Sequence, residues 1–328
     1  MKITKNAKGR ALPIKLLSIL LALLTVTAFS SCSDSKKYTV GICQLTKHDA
    51  LDAATKGFRE ALIAELGEEN IEFVEQNAQG EPNVCTTIVN DFVNKRVDLI
   101  LANATSPLQA AANATLTIPI LGTSITEYGT ALGIKDFNGT VGGNISGTSD
   151  LAPLDQQANM ITDLFPEAKS VALLYCSAEP NSDYQIKVIK AELEKKGLTT
   201  VDCPFSDSND VIQVAGKAAA EDVIYIPTDN TAASCAEAIN GAIGNTPVIA
   251  GESGICDGCG VATLSISYYD LGYATGKMAA KILKGEAKIA DMPIEYAENF
   301  AKLYNPEKCK QLGIDTAALE AKGYTPIK

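Results

Sequence analysis

With 39 acidic and 28 basic residues among 328, the chain carries a formal net charge of −11. Nucleic acid is therefore a poor candidate partner, because polyanions are held by basic patches. A single histidine, His48, and nine scattered cysteines argue against a histidine-based metal site or a Ser-His-Asp triad.

In chain order, residues 1–31 read first as a targeting leader. Lys2, Lys5, Lys8, Arg10 and Lys15 form a basic n-region, and residues 16–29 form an apolar stretch. About 14 apolar residues fall short of the roughly 20 that span a bilayer, so removal is expected over retention as a membrane helix. Ala28-Phe29-Ser30-Ser31-Cys32 resembles the lipobox of bacterial lipoproteins, with Phe29 where that pattern usually has leucine. The resemblance implies acylation of Cys32 and a polar tether over residues 32–37. Losing five positive charges and no acids leaves the mature chain at −16. Its length suits two domains.

Tyr38 to Cys43 reads as a strand, followed by a helix over about residues 49–66 with Phe58, Leu62 and Leu66 on its apolar face. Further strands fit Ile71 to Val74, Asp98 to Ala102 and Pro119 to Leu121. Strands alternating with helical patterns predict a parallel α/β architecture. The Gly-, Asn-, Ser- and Thr-rich stretch Gly139 to Gly147 is expected to be a hinge-side crossover.

The pattern then restarts. Lys169 to Tyr175 is similar to Lys37 to Cys43, and each precedes an amphipathic helix ending at a glycine, Gly197 or Gly67. Asp98 to Thr105 matches Asp222 to Asp229, and Pro119 to Gly122 matches Pro247 to Ala250. Three pairs in the same order predict a duplicated unit, with the carboxyl ends of both sets of strands facing one crevice. A strand over Val261 to Ile266 and a helix over Tyr269 to Leu283 follow, expected to cross back to the first lobe.

Cys256-Asp257-Gly258-Cys259 is the close-spaced cysteine pair, and its surrounding glycines predict a loop. A loop-stapling disulfide or two free thiols are favoured over a redox pair, which would need to open a helix. Gly272 to Met278 falls one residue short of a phosphate-binding loop and lies in a predicted helix, and neither G-x-G-x-x-G nor G-x-S-x-G occurs. An enzyme is therefore not expected, nor a cofactor or metal.

Several segments in order resemble the ABC-transporter substrate-binding lipoproteins of the tryptophan/tyrosine transport type. They are Gly41-Ile42-Cys43-Gln44 with His48-Asp49-Ala50-Leu51-Asp52, Asn77-Ala78-Gln79-Gly80, Ala102 to Pro107, Gly147 to Asp150, Glu179-Pro180-Asn181-Ser182, Thr228-Asp229-Asn230 and Tyr268 to Gly272. The likeness covers nearly the whole mature region. It implies a type I periplasmic-binding-protein fold: α/β, two Rossmann-like lobes with parallel sheets joined by a three-crossover hinge. Lobe 1 is expected at residues 38–146 plus 265–288, and lobe 2 at 147–264 plus 289–328. The implied function is an extracytoplasmic, membrane-anchored solute-binding protein, a monomer that hands an amino-acid-like ligand to an ABC permease. The alternatives are a two-lobed lipoprotein receptor or sensor for another small molecule, and a redox protein using Cys256 and Cys259. Thr126-Glu127-Tyr128 departs from the family's Thr-Asp-Pro and places a phenol near the expected cleft.

An amino acid presents one carboxylate and one ammonium, which need N–H or hydroxyl donors and carboxylate or carbonyl acceptors respectively. Thr105, Ser106, Ser124 and Thr126 are candidate carboxylate donors, aided by a helix start near Pro107. Asp229 and Glu252 are candidate ammonium acceptors. Gln44, Asn181, Ser182 and Asn230 suit either group, and Glu179 stands beside them at the same strand end. These residue types also cap helices. Tyr128, Tyr184, Tyr268 and Tyr269 are available to stack on an aromatic ligand.

Overall fold

A computed structural model describes residues 37–327. The expected leader, Cys32 and the tether up to Lys36 lie outside the described residues. No helix among the described residues is long and apolar enough to cross a membrane.

Two sheets carry the fold. In the first, the strand order is β11-β5-β4-β3-β1-β2, all parallel. It comprises β1 (Tyr38–Gln44), β2 (Ile71–Asn77), β3 (Leu99–Asn103), β4 (Ile120–Ile125), β5 (Ile145–Ser149) and β11 (Glu295–Tyr296). The second has the order β13-β12-β10-β9-β8-β6-β7, with β10 and β12 antiparallel. Its members are β6 (Ser170–Cys176), β7 (Thr199–Phe205), β8 (Val223–Ile226), β9 (Val248–Ala250), β10 (Ala262–Ser265), β12 (Ala301–Tyr304) and β13 (Thr325–Pro326). The run β5-β4-β3-β1-β2 maps strand for strand onto β10-β9-β8-β6-β7, so the repeat in the sequence is a repeat in topology.

Helices cover both faces, which is why the central strands are apolar throughout and do not alternate. β3 reads Leu-Ile-Leu-Ala-Asn and is buried at every position. On one face of the first sheet Val40, Ile42, Leu99, Leu101 and Leu121 meet Phe58 and Leu62 of helix α1 (Asp49–Leu66). On the other, Cys43, Ile100 and Ile120 meet Ile88 and Phe92 of α2 (Pro82–Lys95) and Leu108 of α3 (Thr105–Ala114). Each such fully buried side chain stabilises the fold by about 1.5–3 kcal/mol.

α1 packs against α11 (Tyr268–Leu283) with glycines at the contact. A Cβ at Gly57 would lie 2.1 Å from the Tyr269 carbonyl oxygen, and one at Gly272 would lie 1.9 Å from that of Ala54. This close approach explains Gly272 and Gly276 without phosphate chemistry. It also sets the first turns of both helices beside one another.

The chain passes between lobes after β5, after β10 and after β11, through residues 150–153, 266–267 and 297–300. These crossings fall later than the expected boundaries at 146/147, 264/265 and 288/289. Gly139 to Gly147 is accordingly not a crossover: it leads into β5 and stays with the first sheet. Gly147 is a strand residue whose Cβ would sit 2.1 Å from the Gly122 carbonyl oxygen at φ +147°, so its glycine marks close packing and not a hinge.

Candidate functional site

The carboxyl ends of the parallel strands converge on one space between the lobes. It is lined by His48, Leu51, Ser124, Thr126, Asp150 and Tyr268 from the first lobe and its crossovers, and by Asn181, Thr228, Asp229, Asn230, Ala233 and Glu252 from the second. Only about 10 Å3 is open to the centre of a water molecule, enough for about one water. The cleft is closed, and a small-molecule pocket of ordinary size, about 300 Å3 or more, exists here only after the lobes part.

Ser124 is set in the cleft by a register shift in β4 between Gly122 and Ile125 and by a left-handed backbone, φ +55°. A non-glycine residue held there stores strain that persists where the surroundings fix it, often at binding sites. Asp150 follows β5 directly and is 4 % exposed. The Tyr268 hydroxyl donates to its Oδ2 at 3.0 Å. Burial raises the Asp150 carboxyl to about 6, against the opposing pull of the Thr126 and Tyr268 hydroxyls.

In lobe 2, Asp229 begins helix α8 (Asn230–Ser234). Its Oδ1 accepts from Ala232 N at 2.8 Å and its Oδ2 from Cys176 N at 2.7 Å. Burial, and then the Glu179 carboxylate, raise it to about 7. Glu252 caps α10 (Ser253–Gly258), accepting from the Gly254 and Ile255 amides. Burial raises its pKa too, and His48 across the cleft opposes the shift.

His48 reaches over the cleft, its Nε2 lying 3.3 Å from Asn230 Oδ1. The Asn230 amide is oriented by its Nδ2, which donates to Glu179 Oε2 at 2.7 Å. The oxygen therefore faces His48, Nε2–H is the donor, and Nδ1 is left over.

Three buried side-chain atoms lining the cleft have no hydrogen-bond partner: His48 Nδ1, Ser124 Oγ and Asp150 Oδ1. Buried polar atoms are nearly always paired, so three orphans around one space mark where a polar ligand would bond. α4 (Tyr128–Leu132), α8 and α10 are each capped by the chain's own carboxylate, Glu127, Asp229 and Glu252. By contrast the His48 side chain makes no capping bond to α1, an 18-residue helix whose first turn carries Asp49 and Asp52.

Of the residues expected from the sequence, Ser124, Thr126, Asn181, Asp229, Asn230 and Glu252 line the cleft and Gln44, Thr105, Ser106, Glu179 and Ser182 do not. The Gln44 amide is consumed by Thr46 O, Asp52 and Thr55. Thr105 and Ser106 form the first turn of α3, which begins directly after Ala104. The Glu179 carboxylate accepts from Asn181, Asn230 and Thr231, and so holds the start of α8. Ser182 is fully buried in α6 (Pro180–Lys195) and steadies the Asp229 carboxylate. Asp229 and Glu252, expected as ammonium acceptors, spend their oxygens on backbone amides. Tyr268, expected as a stacking partner, does line the cleft, and His48, Leu51, Asp150, Thr228 and Ala233 line it without a binding role expected from the sequence.

Tyr128 is not a cleft residue: it is 1 % exposed, donates to Thr148 O at 3.0 Å and stacks on Phe137. Tyr269 is bonded to Glu60, and Tyr184 stands outside the cleft. Cys256-Asp257-Gly258-Cys259 is helical over Ser253–Gly258, not a loop, and its thiols are free and buried. Burial raises Cys256 well above the usual thiol range and Cys259 to about 12, which leaves both thiols protonated and unreactive.

Two repeated α/β lobes closing over a polar cleft, with three crossovers between them, define a solute-binding protein. Residues 39–319 match the family model described as ABC transporter substrate binding protein, and the chain belongs to that family. It is 32 % identical over 335 residues, 96 % of each chain, to a tyrosine-binding protein of Clostridioides difficile (strain R20291). It superposes with TM-score 0.84 and 30 % identity on an ABC domain in complex with L-Trp from Streptococcus pneumoniae, covering 89 % of this chain and 100 % of that one. The ligand-free, open structure of a substrate binding protein with adhesive properties from Clostridium difficile gives 0.68 at 35 % identity, with the same coverage. The more similar sequence superposes less well, as expected if the lobes here are closed and those are apart.

Proposed function

We propose that the chain binds a free α-amino acid with an aromatic side chain, tryptophan or tyrosine, between its lobes and delivers it to the permease of an ABC importer. The observation that carries this reading is the set of partnerless atoms His48 Nδ1, Ser124 Oγ and Asp150 Oδ1 in one closed cleft. Asp150 receives the ammonium, its free oxygen being an acceptor in a water-poor space, and the partnerless His48 Nδ1 lines the same space. The Ser124 hydroxyl receives the carboxylate. Asp229, Glu252 and Glu179 hold the helix starts that wall the cleft. Leu51, Ala233 and the Tyr268 ring supply apolar surface for the side chain.

The names of the relatives that bind tyrosine and L-Trp support an aromatic ligand. The leader and Cys32 support an extracytoplasmic protein held to the membrane by a lipid. Ligand that bridges the lobes holds them in a closed form spaced to its own bulk, wider than the cleft seen here, and that form is offered to the permease. Calorimetric titration of the mature protein with the twenty amino acids tests the reading. Saturable binding of L-tryptophan or L-tyrosine is expected; binding of neither would refute it.

A further inference from the structure

Behind the lobe 2 wall of the cleft lies a side-chain amide whose two ends clasp one backbone residue. Strand β8 ends at Ile226, and Pro227 has no N–H with which to extend the ladder. Thr228 follows, half-buried and past the sheet, so its N–H and C=O need partners from elsewhere. Gln185 supplies both: its Oε1 accepts from Thr228 N at 3.0 Å and its Nε2 donates to Thr228 O at 2.9 Å. The same Nε2 donates to Asn181 O at 3.1 Å, one turn back in α6, and the Asn181 amide adds a donor to Thr228 O at 3.2 Å. Gln185 is 2 % exposed and does not line the cleft, whereas Asn181, Thr228, Asp229 and Asn230 all do.

The first lobe has a counterpart. Asn103 ends β3, and its Nδ2 donates to Leu51 O at 2.8 Å and to Thr55 Oγ1 at 2.9 Å. Leu51 lines the cleft, and Thr55 stands one turn behind it in α1, as Gln185 stands one turn behind Asn181 in α6. In the matched strands the place of Asn103 is taken by Pro227, whose side chain has nothing to donate. The amide that ties helix to strand end therefore comes from the strand in one lobe and from the helix in the other. Both lobes make the tie at the same depth behind the cleft, with different residues.

We propose that Gln185 is a positioning residue of the binding site: it fixes the Thr228 backbone, and with it the direction in which Asp229 and Asn230 leave the strand to start α8. This inference rests on the amino-acid reading above. Without the clasp the Thr228 peptide is free to turn, and ligand has to order that wall as it binds, which weakens affinity.

Two variants test the clasp. Gln185→Met keeps the volume and removes both bonds to Thr228, while Gln185→Glu keeps the shape and, only when protonated, can still donate to Thr228 O. Hydrogen exchange of the ligand-free mature protein, read by peptide mass spectrometry, needs no ligand. In Gln185→Met the segment 226–232 should exchange about tenfold faster than in the parent, with the first-lobe strands unchanged. Parent-like protection of that segment, or an equal rise throughout the chain, would overturn the proposal. Calorimetric titration with L-tryptophan and L-tyrosine is the second arm. Gln185→Met should bind about tenfold more weakly than the parent. Gln185→Glu, compared with the parent at the same pH, should lie within about threefold at pH 6 and about tenfold behind at pH 9, where its ionised carboxyl opposes the Thr228 carbonyl. Parent affinity in a folded Gln185→Met, or a Gln185→Glu deficit that does not change with pH, would make the residue structural only and refute its role at the site. If the parent protein binds neither amino acid, the functional reading fails, and the exchange measurement still decides whether Gln185 holds the wall.

Discussion

Replacing Asp150 by asparagine should strengthen the ligand-free fold and weaken binding. The carboxyl is 4 % exposed and is held at about 6 where 3.8 is ordinary. Keeping it ionised at neutral pH therefore costs the folded state about 3 kcal/mol, an amount the neutral amide does not incur. The Tyr268 hydroxyl can still donate to the amide oxygen, so packing is kept. With about 2 °C per kcal/mol for a chain of this size, the melting temperature of the ligand-free protein should rise by several degrees. Binding should move oppositely, because the ammonium loses a buried charged acceptor and meets an amide. Removing one partner of a buried charged pair costs about 2–5 kcal/mol, and about 3 kcal/mol is some 150-fold in affinity. Calorimetry for affinity and differential scanning of the free protein give both numbers from one preparation. A variant that binds L-tryptophan and L-tyrosine as tightly as the parent would refute the role of Asp150. A variant that loses binding and melts earlier would refute the accounting of its buried charge.

Asp150 and Asp229 are raised on folding to about 6 and about 7, so between about pH 4 and 7 the folded chain binds more protons than the unfolded one. Stability of the ligand-free protein should therefore fall as pH rises through that window, as urea denaturation at pH 5 and 7.5 would show. Affinity should do the reverse, declining below about pH 6 by up to tenfold per unit as ligand ammonium competes with a proton on Asp150. Gly147→Ala should cost about 3 kcal/mol or more in chemical denaturation, because its Cβ meets the Gly122 carbonyl oxygen at 2.1 Å in a backbone that disfavours alanine. Cys235, half-buried, should react with a thiol reagent ahead of the seven buried cysteines. Cys256→Ala and Cys259→Ala should leave amino-acid affinity within about threefold, and a larger loss would revive a role for the pair.

The sequence alone determined the architecture, because the hydrophobic run of a strand covered on both faces and the 3.6-residue period of its helices are local signals. Three matched strand pairs were enough to place β1, β3 and β4 opposite β6, β8 and β9, and hence to predict one crevice at their carboxyl ends. Segment order carried the family. What it left open were the choices made by distant groups. Asp229 and Glu252 look like ligand acceptors until the Ala232, Cys176, Gly254 and Ile255 amides are seen to occupy them. Asp150 closes the family-resembling segment Gly147 to Asp150, and only folding shows it buried with one oxygen bare. The first crossover falls beyond Gly147 because that glycine serves a close contact in a sheet, which a glycine-rich stretch does not distinguish from a hinge. His48 became a cleft residue only through Asn230, 182 positions away. Hydrogen-bond satisfaction is a property of the assembled interior, and so the identity of the free groups was decided by tertiary structure.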